Sequence, residues 1–189
     1  MEQNLSNKEI LHGQIRDIYG KVVYSYTTHI KDSKIIVKRN NHLKLLNIIL
    51  SAFSTGGLIA VIVDWNTLLC AILTAILTTS ILVVSTYLKY ANLEQIIGHH
   101  RKTATDLWPI REKVVSLLID FDLLSYEEIV VKRDTYINEL SVIYSSEIDT
   151  SEKAYRHAKK ALKNDEEQFF TDEEIDIMLP EVLRKKKHK

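Results

Sequence analysis

One cysteine, Cys70, stands in a chain of 189 residues, which excludes an intramolecular disulfide framework and any zinc site built on cysteine. Glycine and proline are nearly as scarce, at five and two, and their scarcity favours long helices over sheets or disordered linkers. Neither sign of charge is in excess. Lys and Arg total 25, and so do Asp and Glu, so the global balance predicts no polyanionic partner and no direct nucleic-acid binding. The first forty residues are polar and charged, unlike the apolar stretch of a secretory signal peptide.

Catalytic signatures are missing as well. The chain carries no Gly-rich phosphate loop, no nucleophile elbow and no HExxH motif, so neither an enzyme nor a cofactor is expected. His99 and His100 are the only adjacent histidines. Neighbouring helix positions point about 100° apart and chelate poorly, and Thr103 and Ala104 occupy the positions where a second ligand would belong. His29 and His42, thirteen residues apart, do not pair with each other, and His157 has no evident ligand partner. No metal site is expected.

What the chain does have is two long runs without charge. Leu45–Val63 is one of nineteen residues, and Thr67–Leu88 one of twenty-two. As helices they would be about 30 Å long, the thickness of a bilayer's hydrocarbon core. Between them, Asp64, Trp65 and Asn66 form a natural turn at headgroup level. A buried hairpin in a soluble bundle is the competing interpretation, but such helices keep a charged face toward water, and these keep none. Lys31, Lys34, Lys38, Arg39 and Lys44 precede the first run, Lys89, Arg101 and Lys102 follow the second, and the turn has no Lys or Arg. The positive-inside rule then places both termini in the cytoplasm.

The runs carry polar stripes. Asn47, Ser51 and Ser54 share a face of the first, with Thr55, Gly56 and Gly57 nearby. Thr67, Ala71, Thr74, Thr78 and Ser85 share a face of the second. Such residues either pack helices closely or line a pore when several copies assemble, since two helices cannot enclose a channel. Asn47, Ser51, Ser54, Thr55, Thr74, Thr78 and Ser85 are therefore candidates for pore lining or helix packing. No Asp, Glu, Lys, Arg or His lies within either run, which argues against a proton relay, a voltage sensor or an ion-coupled transporter.

The expected fold is all-α: a two-helix transmembrane hairpin (45–63 and 67–88) extended by long cytoplasmic helices that form a bundle. An N-terminal helix fills 1–44, a helical region fills 89–183, and 184–189 is a basic tail, expected as a solvated disordered terminus or else as a contact for anionic headgroups or nucleic acid. Ile15, Tyr19, Val22, Tyr26 and His29 follow a 4-3-4-3 spacing, and Tyr90, Leu93, Ile97, His100, Ala104 and Leu107 repeat it beyond the second span. The two stripes are expected to pair in antiparallel fashion. Pro109 predicts a kink or break at Trp108. Ile110, Val114, Leu117 and Phe121 continue the apolar face. Ser125-Tyr-Glu-Glu128 is a capping box that opens a helix with Ile129, Tyr136, Leu140 and Ile143 on one side. A helix over 151–168 presents Ala154, Ala158 and Ala161. Thr171-Asp-Glu-Glu174 caps a short acidic helix ending before Pro180. On it, Glu173, Glu174 and Asp176 are a solvated helix start favoured by the macrodipole, or else a candidate docking site for a partner.

This layout resembles the bacterial SLATT family, two-transmembrane effectors found beside nucleotide-sensing and nucleotide-synthesising genes. The likeness runs best from Ile35 to Phe121, through His42-Leu-Lys44 entering the first span and Ala91-Asn-Leu-Glu94 to His99-His-Arg101 leaving the second. The stretch Glu174-Ile-Asp176…Leu179-Pro180…Leu183-Arg184 is similar to the subfamily encoded next to defence-associated reverse transcriptases. The resemblance implies an anti-phage, abortive-infection effector in the bacterial inner membrane. Alerted by a cytoplasmic partner, a reverse transcriptase or a nucleotide-signal sensor or synthase encoded nearby, it would act as a homo-oligomer that dissipates ion gradients. The alternatives are a membrane anchor that recruits such a partner without making a pore, and, more weakly supported, an envelope-remodelling scaffold.

Overall fold

The computed structural model describes residues 2–63, 67–181 and 184, with side chains from residue 7 onward. The expected turn at Asp64-Trp65-Asn66 and all of the basic tail except Arg184 lie outside the described residues. Six helices and no strand are found among those residues. They are α1 (Glu2–Ile62), α2 (Thr67–Ala91), α3 (Leu93–Ile119), α4 (Tyr126–Ser146), α5 (Glu152–Lys163) and α6 (Asp172–Met178).

The organising element is α1, a single helix of 61 residues and so about 90 Å long. No residue near Lys44 is a helix breaker, and the helix passes without interruption from the charged N-terminal part into the charge-free run. The first half of α1 packs against α3 and α5, and its second half against α2.

Around the hairpin the apolar surface faces outward. Phe53 is 66% exposed, Ile76 58% and Leu82 66%. In the most apolar eighteen-residue window of each long helix, only 6% of the window is buried. A soluble core helix would show the reverse, whereas outward apolar side chains on helices of this length suit a lipid solvent.

The extramembrane bundle has its core on the predicted stripes. Leu11, Ile15 and Val22 of α1 meet Leu107, Ile110, Val114 and Leu117 along α3 and Phe121 just past its end, with Ile129 and Leu140 of α4 closing the cluster. Tyr136 and Ile143 pack partly buried against it, so the expected face of α4 is the one that docks. The three small residues of α5, Ala154, Ala158 and Ala161, are buried to 1% exposure or less, and lacking bulk they let α5 lie close against α1. Both capping boxes form: the Ser125 hydroxyl accepts from the Glu128 N–H, and the Thr171 hydroxyl from the Glu174 N–H.

Three sequence expectations are corrected. Of the kink or break expected at Trp108, the break does not occur: α3 runs on through Pro109. Proline removes one donor and frees the carbonyl four residues back, but Pro109 and Thr105 both face solvent, where water satisfies that carbonyl. The break comes instead at Asn92, which adopts φ 44°, ψ 42° between α2 and α3. Asparagine tolerates this left-handed conformation better than most residues. The break resets the helical register, so Tyr90, expected in the stripe, is 91% exposed while Leu93 and Ile97 are buried. Finally, α5 stops at Lys163 rather than near Gln168, because the Asn164 and Asp165 amides both turn back to the Lys160 carbonyl.

Gly20 lies within α1 with no heavy atom within 4 Å of where a Cβ would stand. Its backbone entropy is a cost without a packing return, so Gly20→Ala is expected to stabilise the chain by about 0.5–1 kcal/mol. Thermal unfolding of the solubilised protein checks it, with a rise of about 2–4 °C expected at 1 kcal/mol.

Candidate functional site

The hairpin turns part of its polar stripe inward. The Ser85 hydroxyl donates to Asn47 Oδ1 at 3.1 Å, joining α2 to α1 at the end nearest the bundle. Ser54 and Thr74 are each 6% exposed between the two helices. Opposite Thr74 stands Gly57, and a Cβ built there would come 2.3 Å from Thr74 Oγ1, so glycine leaves the room that the Thr74 hydroxyl occupies. Ser51 is half-buried on the same seam, its hydroxyl donating to the Asn47 carbonyl at 2.8 Å. Thr55 and Thr78 lie on exposed faces and donate to the carbonyls of Ser51 and Thr74. Thr67 and Ala71, expected on the stripe with Thr74, are also exposed.

Beneath the hairpin the bundle's core changes from apolar to polar. His29, Asp32, Ser33 and Asn40 of α1 and His100 and Thr103 of α3 are all buried. His29 Nδ1 lies 2.9 Å from His100 Nδ1, both rings 1% exposed. His29 Nε2 stands 3.3 Å from Glu147 Oε2, at the end of α4. The carboxylate accepts the Nε2 proton, which leaves Nδ1 of a neutral His29 to accept from the Nδ1–H of His100. One proton fills the gap between the rings. A second would set two donors against each other.

One turn further along α1, the Asp32 carboxylate accepts from the Ser151 backbone N–H at 2.6 Å and from the Ser151 hydroxyl at 2.9 Å. Ser151 in turn caps α5, accepting from the Ala154 N–H at 3.1 Å. The connector between α4 and α5 thus grips α1 at two successive turns. An exposed bidentate pair, Lys31 to Glu167 at 2.6 and 2.7 Å, adds a third tie.

Burial holds the His100 imidazole below its ordinary value of 6.5. Asp32 opposes the shift, while His29 and His99 reinforce it. The unfolded chain therefore takes up a proton that the folded chain resists. The contribution to stability is complete above about pH 6.5 and declines as pH falls toward the folded-state value. The melting temperature is expected to drop by a few degrees between pH 7.5 and 5.5, and the drop should shrink in His100→Gln, which can still donate to His29.

Both histidines had been placed on stripes expected to pair, so their meeting was within reach of the 4-3 spacing. Asp32, Glu147 and Ser151 carried no such signal. Among the described residues, no group of three or more His, Cys, Asp or Glu side chains is arranged to hold a metal. On α6, which has no buried residue, Glu173 is exposed. The Glu174 carboxylate accepts from the Thr171 N–H at 2.8 Å, so it serves the cap, and Asp176 is half-buried with a partner of its own.

No curated protein and no solved structure matches the chain. One family model does match, over residues 11–174: that of the SMODS and SLOG-associating 2TM effector domain family 4.

Proposed function

The chain belongs to the SMODS and SLOG-associating 2TM effector domain family 4, and from that premise we propose that it is the membrane effector of a bacterial anti-phage system. It is a membrane protein of two transmembrane helices. In the proposed mechanism both termini lie in the cytoplasm and the hairpin sits in the inner membrane. A partner, a reverse transcriptase or a nucleotide-signal sensor or synthase, engages the bundle when infection is detected. Copies of the chain then assemble and permeabilise the membrane.

The observation that carries this mechanism is the continuity of α1. The clamp at His29 and Asp32 and the seam at Asn47, Ser54 and Gly57 lie on one uninterrupted helix, Asp32 about 20 Å from the start of the span. A partner that loosens the α4–α5 connector would free α1 to turn, and turning α1 re-aims the seam. The resting hairpin would be harmless because Ser85 pairs with Asn47 across the seam and the Ser51, Thr55 and Thr78 hydroxyls bond to carbonyls of their own helices. The active state must bind the partner more tightly than the resting state does, since only differential affinity shifts such an equilibrium.

The inward pairing of Ser85 with Asn47 also favours a second possibility, an anchor whose hairpin never opens and which only recruits the partner, with Glu173, Glu174 and Asp176 as candidate docking residues. Membrane potential separates the two. With the partner activated, a potential-sensitive dye should report depolarisation that falls at least tenfold in rate in Ser54→Leu or Thr78→Leu. Full potential together with intact partner recruitment would instead establish the anchor.

A further inference from the structure

Between α1 and α3, close to the membrane end of the bundle, lies a cavity of about 310 Å³ lined by Lys34, Val37, Lys38, Asn41 and His42 of α1 and Arg101 of α3. Lys34, Lys38 and His42 succeed one another at four-residue steps, so they share a face of α1 that looks toward Arg101. No acidic residue lines it. Nearby cations are engaged: Lys44 with Glu94 at 2.6 Å, Lys31 with Glu167 at 2.6 Å, and Arg39 with the Tyr87 hydroxyl at 2.7 Å. Among the described residues, none of Lys34, Lys38 and Arg101 pairs with a carboxylate. Three cations lining the groove thus lack a protein counter-charge, while Lys44 and Lys31 each have one.

We propose that this groove binds the phosphate of an anionic phospholipid headgroup from the adjoining leaflet. Depth argues for a lipid rather than a soluble phosphate. His42 lies about 4.5 Å below Leu45, the first residue of the span, Lys38 about 10 Å and Lys34 about 16 Å, and Arg101 follows Leu88 by about 20 Å of helix, while the headgroup layer is roughly 5–8 Å thick on each side, so it is the His42–Lys38 end of the groove that meets the headgroups. The flexible stem of Lys38 is long enough to bring its ammonium group up to that layer. Basic pockets at the membrane end of helix bundles are suited to such headgroups. The site rests on the hairpin's seat in the bilayer and needs no pore. A bound phosphate would tie α1 to α3 where the bundle meets the membrane.

The test is native mass spectrometry of the full chain released from detergent containing equal phosphatidylglycerol and phosphatidylcholine. The wild type should retain phosphatidylglycerol preferentially. Lys38→Gln combined with Arg101→Gln should weaken that retention about 20- to 30-fold, the loss of two surface cations, while Lys113→Gln, at the far end of the bundle, leaves it unchanged. Millimolar inorganic phosphate should not displace the lipid. Equal retention of the two lipids by the wild type overturns the proposal, as does undiminished preference in the double variant. Displacement by inorganic phosphate would make the groove a soluble-phosphate site instead. A chain that never entered the bilayer would retain neither lipid, a result distinct from failure of this groove. The readout is independent of membrane permeability, so loss of the pore mechanism leaves it intact.

Discussion

Asp32→Ala is expected to destabilise the bundle by about 3 kcal/mol and to release α5 from α1. The side chain is 3% exposed and accepts two hydrogen bonds from Ser151, one of them from a backbone N–H. Bonds to a charged acceptor contribute about 1.5–3 kcal/mol each, and the truncation also leaves buried donors without a partner. The negative charge sits at the N-terminus of α5, where the aligned peptide dipoles favour it. For a chain of this size, 3 kcal/mol corresponds to roughly 6–12 °C in melting temperature. Hydrogen exchange should accelerate across Glu152–Lys163 and much less across α3, because α5 packs on α1 alone among the larger contacts. Asp32→Asn keeps one acceptor but turns an amide donor toward Ser151, so an intermediate loss is expected. A melting temperature within 2 °C of wild type, with α5 protection intact, would remove the clamp from the mechanism.

The second large effect is expected at the hairpin seam. A Cβ at position 57 is fixed by the backbone and would stand 2.3 Å from Thr74 Oγ1, so either the Thr74 hydroxyl turns away about χ1 or the two helices part. Gly57→Ala should therefore force Thr74 out of its present rotamer or push α1 and α2 apart, at a cost of about 1–3 kcal/mol. Thr74 Oγ1 is buried without a hydrogen-bond partner among the described residues. Thr74→Ala alone should be close to neutral, since it removes an unsatisfied oxygen and leaves the Cβ, which would lie 3.6 Å from a new Cβ at 57, an ordinary contact. The double variant should then recover most of the loss, giving a coupling of about 1–2 kcal/mol. Thermal unfolding of the four proteins in one detergent measures the cycle. Strict additivity would mean that residues 57 and 74 do not meet. In the proposed mechanism Gly57→Ala also weakens the resting hairpin, so it should raise basal membrane leakage before any partner is present.

The features legible in the sequence are those encoded by local pattern. Freedom from charge over Leu45–Val63 and Thr67–Leu88 marks the hairpin, the 4-3 spacing marks which faces of α1 and α3 meet, and Ser125-x-x-Glu128 and Thr171-x-x-Glu174 mark two helix starts. Features that depend on a single conformational choice or on distant register are not legible. The Ala91-Asn92-Leu93 stretch holds no glycine or proline, so nothing announces that Asn92 leaves the helix. Pro109 announces a kink or break, and solvent exposure of the freed carbonyl makes a break unnecessary. The 4-3 spacing puts His29 and His100 on facing stripes, but that these two, 71 residues apart, meet each other is fixed only once α1 and α3 settle into register. The Asp32–Ser151 clamp spans 119 residues and comes from a connector with no regular structure. Likewise, which of the span's hydroxyls face the partner helix is set by rotation: Thr74 is buried and Thr78 exposed although a helical wheel puts them on one stripe.

Everything functional depends on lipid surrounding the outward apolar face of the hairpin, and collision accessibility of spin labels measures that most directly. In a Cys70→Ser background, nitroxides placed singly at Phe53 and Ile76, both more than half exposed, are reconstituted into liposomes and relaxed with oxygen or with a water-soluble nickel chelate. Lipid-facing sites should collide with oxygen and hardly at all with nickel, while a label at Lys102 on the bundle collides readily with nickel. Nickel-dominated relaxation at 53 and 76, or labels that neither reagent reaches, would contradict a membrane hairpin and the effector mechanism built on it.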